Sequence, residues 1–171
     1  MKRGWRVALV AVWVAWLGLG LAHARVDIVF GQVVSVADGD TLTMVSDEGQ
    51  RIKVRLLAID APELKQPFGP PAREALVKLV QDKSVKVVIT KLDRYDRSLG
   101  KVLLNGQDVN LILVTNGMAW HYRQYEGDQS QEDRLAYARA ELEARQANRG
   151  LWSQAKPLAP WFFRRGIGSA R

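Results

Sequence analysis

Arg55-Leu56-Leu57-Ala58-Ile59-Asp60-Ala61-Pro62-Glu63 carries an apolar run into two carboxylates and a proline. Asp38-Gly39-Asp40-Thr41 precedes it by the length of one strand. Together the two stretches hold Asp38, Asp40, Asp60, Glu63 and Arg55 at the ends of short apolar segments. Carboxylates at the mouth of a sheet can hold a hard cation, and an arginine beside them can hold a phosphate. Asp93-Arg94-Tyr95-Asp96-Arg97 supplies a second arginine further on. A metal, a base and positive charge on phosphate are what phosphodiester hydrolysis needs.

Strands surround these stretches. Residues 26–36 alternate loosely and are rich in Val and Ile, which predicts a strand. Asp38-Gly39 reads as a hairpin turn, 41–45 as the return strand, Asp47-Glu48-Gly49 as a second turn, and 50–59 as a third strand. Residues 60–69 are polar and broken by Pro62 and Pro67, so a loop is expected. Pro70-Pro71 sits where helices begin, and Ala72, Ala75, Leu76, Leu79 and Val80 mark one face of that helix. Strands follow at 85–90 and 99–104. Asp108 caps a short helix that reaches Thr115. The strongest helix spans 130–147, with Ser130 and Asp133 in capping-box form and Leu135, Ala138 and Leu142 on one face. Five short strands with a helix inserted after the third predict an α+β fold, and a five-stranded OB-type Greek-key β-barrel packed with about three α-helices suits that count.

The chain has 171 residues and a net charge of +7. Lys2, Arg3 and Arg6, the apolar stretch 7–21 and Ala22-His23-Ala24 form a signal peptide over 1–24. Its apolar stretch is short for a membrane span, which needs about 20 residues. Removal leaves 22 basic and 18 acidic residues, a net charge of +4, compatible with a polyanionic partner. The expected organisation is the signal at 1–24, one domain at 25–152 and an irregular tail at 153–171. The product is exported, to periplasm or medium. With no cysteine, disulfides, thiolate metal sites and a cysteine nucleophile are excluded. His121 is the only histidine beyond the signal, and its aromatic neighbours assign it a structural place.

Asp38-Gly39-Asp40-Thr41, Arg55-Leu56-Leu57 through Asp60-Ala61-Pro62-Glu63, and Asp93-Arg94-Tyr95-Asp96-Arg97 resemble, in order and separation, the three signatures of the staphylococcal-nuclease-like thermonucleases. Gly117-Met118-Ala119-Trp120 with Tyr122, and Gly150-Leu151-Trp152, resemble later landmarks of that family. The resemblance covers about 29–152, and the tail at 157–165 is similar to the exported bacterial branch. It implies an OB barrel with three helices and a Ca²⁺-dependent endonuclease of little sequence preference. The substrates would be DNA and RNA, the products 3′-phosphate ends, and the enzyme a monomer without a stable protein partner.

Residue by residue, the resemblance makes Asp40 and Asp60 direct calcium ligands, joined by the main-chain oxygen of Ala61. The family often has Thr at the Ala61 position, and a carbonyl ligand survives that change. Asp38 lies behind the metal's water. So few protein ligands imply binding on the order of 10⁻⁴ to 10⁻³ M. Glu63 is the general base or the group that orients the attacking water. Arg55 and Arg97 hold the phosphate. Asp96 stands where the family usually has Gly, and Asp tolerates positive φ better than most residues. Arg94, Tyr95 and Tyr122 are candidate substrate contacts, the aromatics by stacking on bases. Trp120 reads as core, and Lys65 as solvated charge.

Two other functions compete. One is a non-catalytic nucleic-acid-binding OB domain, which would be expected to have lost acidic or arginine positions that stand intact here. The other is an envelope-anchored interaction protein, for which the tail offers neither a repeat nor a charge block.

Overall fold

A computed structural model describes residues 27–166. The signal-peptide assignment and the last residues of the tail lie outside them. Strand β1 (Asp27–Val36) pairs antiparallel with β2 (Thr41–Ser46), which pairs with β3 (Arg51–Leu56). After the two-residue β4 (Ile59–Asp60) and helix α1 (Gly69–Val80) come β5 (Ser84–Leu92) and β6 (Ser98–Leu104). The sheet order is β3-β2-β1-β5-β6, and a parallel pairing of β3 with β6 closes it into a five-stranded barrel. Register shifts at Val33/Ser35 and Ile89/Lys91 give β1 and β5 the local coiling that closure requires. Strand β7 (Gln107–Asp108) leads into α2 (Val109–Thr115), β8 (Trp120–His121) pairs with β4, and α3 (Gln131–Gln146) and the single turn α4 (Pro160–Phe163) complete the chain. This is the expected α+β, OB-type architecture. Among the described residues no helix is long and apolar enough to cross a membrane.

The barrel interior is filled by Val33, Leu42, Met44, Val54, Leu56 and Val87, and α1 closes one end with Ala72, Leu76 and Val80. That is the face the apolar spacing of α1 predicts. Both expected caps are present, with Asp108 accepting from the Leu111 N–H and Ser130 from the Asp133 N–H.

Three expectations need correction. The strand expected over 50–59 breaks at Leu57-Ala58, where Ala58 takes φ 59°. Leu57 N–H bonds Gly100 O, and Tyr122 N–H bonds Ala58 O, so the chain leaves the barrel and re-pairs as β4 with β8. The expected turn at Asp38-Gly39 does join β1 to β2, and it does so without a positive φ at Gly39. The value of that glycine is space, because a Cβ there would lie 2.6 Å from the Ala61 Cβ and 2.8 Å from the Ala72 Cβ. On α3 the expected face is wrong. Leu135 and Leu142 are exposed, while Tyr137, Ala140, Glu141 and Ala144 are buried. Small residues on that face let α3 lie close to α2, and Tyr137 donates from its hydroxyl to Asp108 Oδ2 at 2.8 Å. The tail is only partly irregular, since α4 turns back onto the barrel mouth.

Candidate active site

The site gathers where three chain breaks meet. Asp40 ends the β1–β2 loop, and its neighbour Thr41 is in register with Arg55 on β3. Asp60 lies on β4, just beyond the Ala58 turn. Arg55 is also in register with Leu99 across the closing seam, which brings β6 and Arg97 at its start to the same mouth. A cavity of about 680 Å³ opens there, and Asp38, Asp40, Arg55, Ala61, Glu63 and Arg97 are in its wall.

Asp40 and Asp60 are buried, at 2% and 0% exposure. Charges removed from water to this degree need partners. Arg55 supplies them by donating through Nη1 to Asp40 Oδ1 and through Nη2 to Asp60 Oδ1, the latter at 2.7 Å. The Ala61 N–H donates to Asp40 Oδ2 at 2.7 Å, and the Asp40 N–H donates to Asp38 Oδ1 at 3.1 Å. Ala61 thus touches Asp40 through its amide, and Asp38 fixes the Asp40 main chain.

Glu63 sits on the loop beyond Pro62 with its side chain 37% exposed. Its main chain is held by a residue to which sequence reasoning gave no role. Buried Gln66 accepts from the Glu63 N–H at 2.8 Å and donates to Leu158 O at 3.0 Å. Gly69 makes room for this loop, since a Cβ there would lie 2.0 Å from Glu63 O.

Arg97 is held by a second residue given no role. Asp93 accepts from the Arg97 N–H at 3.0 Å and from Nε at 2.7 Å, and it also accepts from the Tyr95 N–H. Burial would raise the Asp93 carboxyl, but these bonds hold it below its usual range. Asp96 takes φ 58°, the positive value its side chain tolerates. Arg94 and Arg97 flank the exposed Tyr95 ring, with guanidinium carbons 4.7 and 5.3 Å from its centroid. Tyr122 has one ring face covered by Trp161, at 5.2 Å and an interplanar angle of 29°. Trp120 and His121 are buried, with His121 Nε2 3.0 Å from Gln129 Oε1, and Lys65 is exposed.

The C-terminal segment also enters the site. Arg164 donates through Nη2 to Asp60 Oδ2 at 2.7 Å, and through Nη1 to Asp60 Oδ1 at 3.1 Å and Glu63 Oε1 at 2.8 Å. No signal in the sequence placed it there, because its partners lie about a hundred residues earlier.

The donor chemistry fits a divalent cation. Asp38, Asp40, Asp60 and Glu63 face Arg55 and Arg164, so with every carboxyl ionised two negative charges are left over. Burial pushes the Asp40 carboxyl up to about 7, against the pull of Arg55. Burial, together with the like charges of Asp38 and Asp60, outweighs the one guanidinium bonded to it. Every side-chain donor is an oxygen, which suits a hard ion. Among the described residues no three acidic or imidazole side chains form a ready cage. A cation here would therefore rest on the Asp40 and Asp60 carboxylates and complete its shell with main-chain and water oxygens.

The sequence model of the family described as staphylococcal nuclease homologues matches residues 53–154. A Haemophilus influenzae protein named an uncharacterized endonuclease is 40% identical over 134 residues, covering 78% of this chain and 72% of that protein. One of the same name from Escherichia coli O157:H7 is 42% identical over 137 residues, covering 80% and 85%. A rice protein (Oryza sativa subsp. japonica) named "Probable staphylococcal-like nuclease CAN2" is 39% identical over 140 residues, 82% of this chain but 35% of that protein. The chain thus spans about a third of the length of that plant relative.

Proposed function

This chain belongs to the staphylococcal nuclease homologue family, and from that premise we propose that it is a Ca²⁺-dependent endonuclease of DNA and RNA. The observation that carries the reading is one cavity whose wall brings together Asp40, the half-exposed Glu63 and the two arginines Arg55 and Arg97, with the buried Asp60 bonded to Arg55 behind that wall.

Asp40, Asp60 and the main chain at Ala61 would hold calcium, with Asp38 fixing Asp40. The bound ion would polarise a phosphoryl oxygen as a Lewis acid. Glu63 faces the cavity with a carboxylate able to accept a proton from the attacking water or to aim it. Water attacks phosphorus and the bond to the 5′-oxygen breaks, leaving the 3′-phosphate. Arg97, braced by Asp93, offers the cavity its guanidinium as charge builds on the phosphoryl oxygens. Arg55 offers its own from between the carboxylates. Arg94, Tyr95 and Tyr122 would line the path of flanking nucleotides. In this proposal the domain spans 25–152, the tail follows it, and the 1–24 signal exports a monomer to periplasm or medium.

Purified chain incubated with plasmid DNA or with RNA, in Ca²⁺, in Mg²⁺ or in EDTA, tests the function. The expected result is cleavage of both in Ca²⁺, far weaker cleavage in Mg²⁺ and none in EDTA. Undiminished cleavage in EDTA overturns the metal-dependent reading. Salt-sensitive binding without cleavage in any ion would favour the non-catalytic domain. Export is tested by N-terminal sequencing of protein recovered outside the cytoplasm, with Arg25 expected first.

A further inference from the structure

Asp60 has no exposed surface, and both its oxygens are taken by guanidinium groups. A cation that binds Asp60 therefore competes with them for its oxygens and for the space in front of them. The two arginines are unequal. Arg55 stands on a barrel strand, bridges two carboxylates and has a side chain 14% exposed. Arg164 follows a one-turn helix, and its side chain is 41% exposed. Arg164 is the one that can leave without disturbing the barrel.

The segment that carries Arg164 is seated independently of the carboxylates. Trp161 stacks on Tyr122 and meets Trp120 edge-on at 5.4 Å. The Arg164 N–H bonds Pro160 O at 2.9 Å, so the helical turn continues through it. Trp161 and Arg164, three residues apart on that turn, share a face. The docked turn places the guanidinium against the acidic cluster, and the 41% exposed side chain has solvent beside it to turn into.

We propose that Arg164 is a positioning residue of the metal site, a built-in counter-cation that holds Asp60 and Glu63 until an incoming divalent ion displaces it. The proposal rests on the metal-dependent reading above. Without a metal, Arg164 lessens repulsion within the carboxylate cluster and fixes Glu63 beside Asp60. When the ion arrives, the guanidinium gives up Asp60 and stays at the cavity wall as a third cation near the phosphate path. Calcium affinity is then the difference between two occupants of one position.

Calcium titration by calorimetry, with no nucleic acid present, tests this on the whole chain. Arg164→Gln removes the competitor, so calcium should bind roughly tenfold more tightly, the scale of lost charge-assisted hydrogen bonds. Thermal stability in EDTA should fall at the same time, because Arg55 alone then faces the carboxylates. Arg165→Gln removes the same charge one residue away, where no bond to the cluster exists, and should change affinity by less than about twofold through screened charge alone. A tail staple with no part in metal binding would lower stability in calcium and in EDTA alike and leave affinity unchanged. Unchanged or weaker calcium binding in Arg164→Gln, equal tightening in Arg165→Gln, or no calcium binding in any of the three proteins overturns the proposal. The nuclease reading fails separately. Tightened binding without cleavage would sink that reading alone, and cleavage with unchanged affinity would sink this proposal alone.

Discussion

Asp60 and Trp120 are register partners across the two-residue ladder that joins β4 to β8. The buried carboxylate is thus hinged by its main chain to an indole that packs against Trp152 at 4.3 Å and Trp161 at 5.4 Å. Arg145 covers this group, its guanidinium 4.0 Å from the Trp152 centroid. One aromatic cluster therefore supports both the acid that would hold the metal and the segment that brings Arg164 to it.

Trp161→Ala should loosen that support. A fully buried Trp truncation costs about 3–5 kcal/mol. Trp161 is only half-buried, so a loss of about 1–2 kcal/mol is expected, read as a lower urea midpoint. A midpoint equal to wild type would mean that the stacking on Tyr122 contributes nothing.

Asp93 should matter to catalysis without touching substrate. Asp93→Asn keeps the shape but loses the ion pair with Arg97. The expected result is a fall in kcat of about tenfold, comparable to one misplaced charge-assisted contact. Arg97→Lys keeps charge without the planar fork and should cost more. Steady-state kinetics on both variants, with folding checked by circular dichroism, decides it. If Arg97→Lys retains wild-type kcat, Arg97 does not grip the phosphate.

Glu63→Gln removes the base while Asp40 and Asp60 remain, so kcat should drop by about 10² or more and calcium should still bind. Combined with Arg97→Lys, the losses should not add, because both groups act on one transition state. Strictly additive losses would separate their roles.

The Asp40 carboxyl gives the site a pH dependence near neutrality. Its position at about 7, against 3.8 for an ordinary aspartate, means that the folded chain binds this proton more tightly than the unfolded one. Without metal, its contribution to stability rises as pH falls from about 7 toward 3.8 and levels off below. Calcium needs the ionised form, so affinity should weaken below pH 7, by up to about tenfold per unit. Calorimetry in buffers of different ionisation enthalpy should show proton release on calcium binding at pH 6.5. Asp40→Asn should bind calcium weakly and release no such proton. An affinity flat from pH 6 to 8 in the wild type would contradict the assignment.

Asn110 makes a different prediction, about stability alone. It is fully buried, accepts from the Val102 N–H and donates to Leu57 O and Gly100 O. It fastens the start of the Leu57-Ala58 break to β6. Asn110→Ala strands the Val102 N–H and Leu57 O, while Gly100 O keeps the Leu57 N–H, and should cost about 2–4 kcal/mol. A loss below about 1 kcal/mol would mean that water replaces the amide.

What could be read from the sequence was local. Alternation located the barrel strands, Asp108 and Ser130 announced their helices, and Asp96 suited a positive φ because its short polar side chain permits one. Asp38, Asp40, Arg55, Asp60, Glu63 and Arg97 converge because short turns and strand register bring them together. The buried face of α3 was not readable, since Leu135, Ala138 and Leu142 have a helical spacing as good as that of Tyr137, Ala140, Glu141 and Ala144. The close neighbour α2 selects the small residues, and no single-sequence pattern contains that neighbour. Asp93 and Gln66 looked like ordinary loop residues because their role is to aim another residue. Arg164 depends on a contact spanning most of the fold.

The parallel seam between β3 and β6 holds only three residue pairs, Val54 with Ser98, Arg55 with Leu99 and Leu56 with Gly100. Arg55 is in that seam and Arg97 immediately precedes it. A fluctuation that unzips those pairs would separate the two cations while the antiparallel strands and all three main helices stay folded. On warming, such a protein should fall silent before it melts, and cooling should restore its activity without refolding the chain.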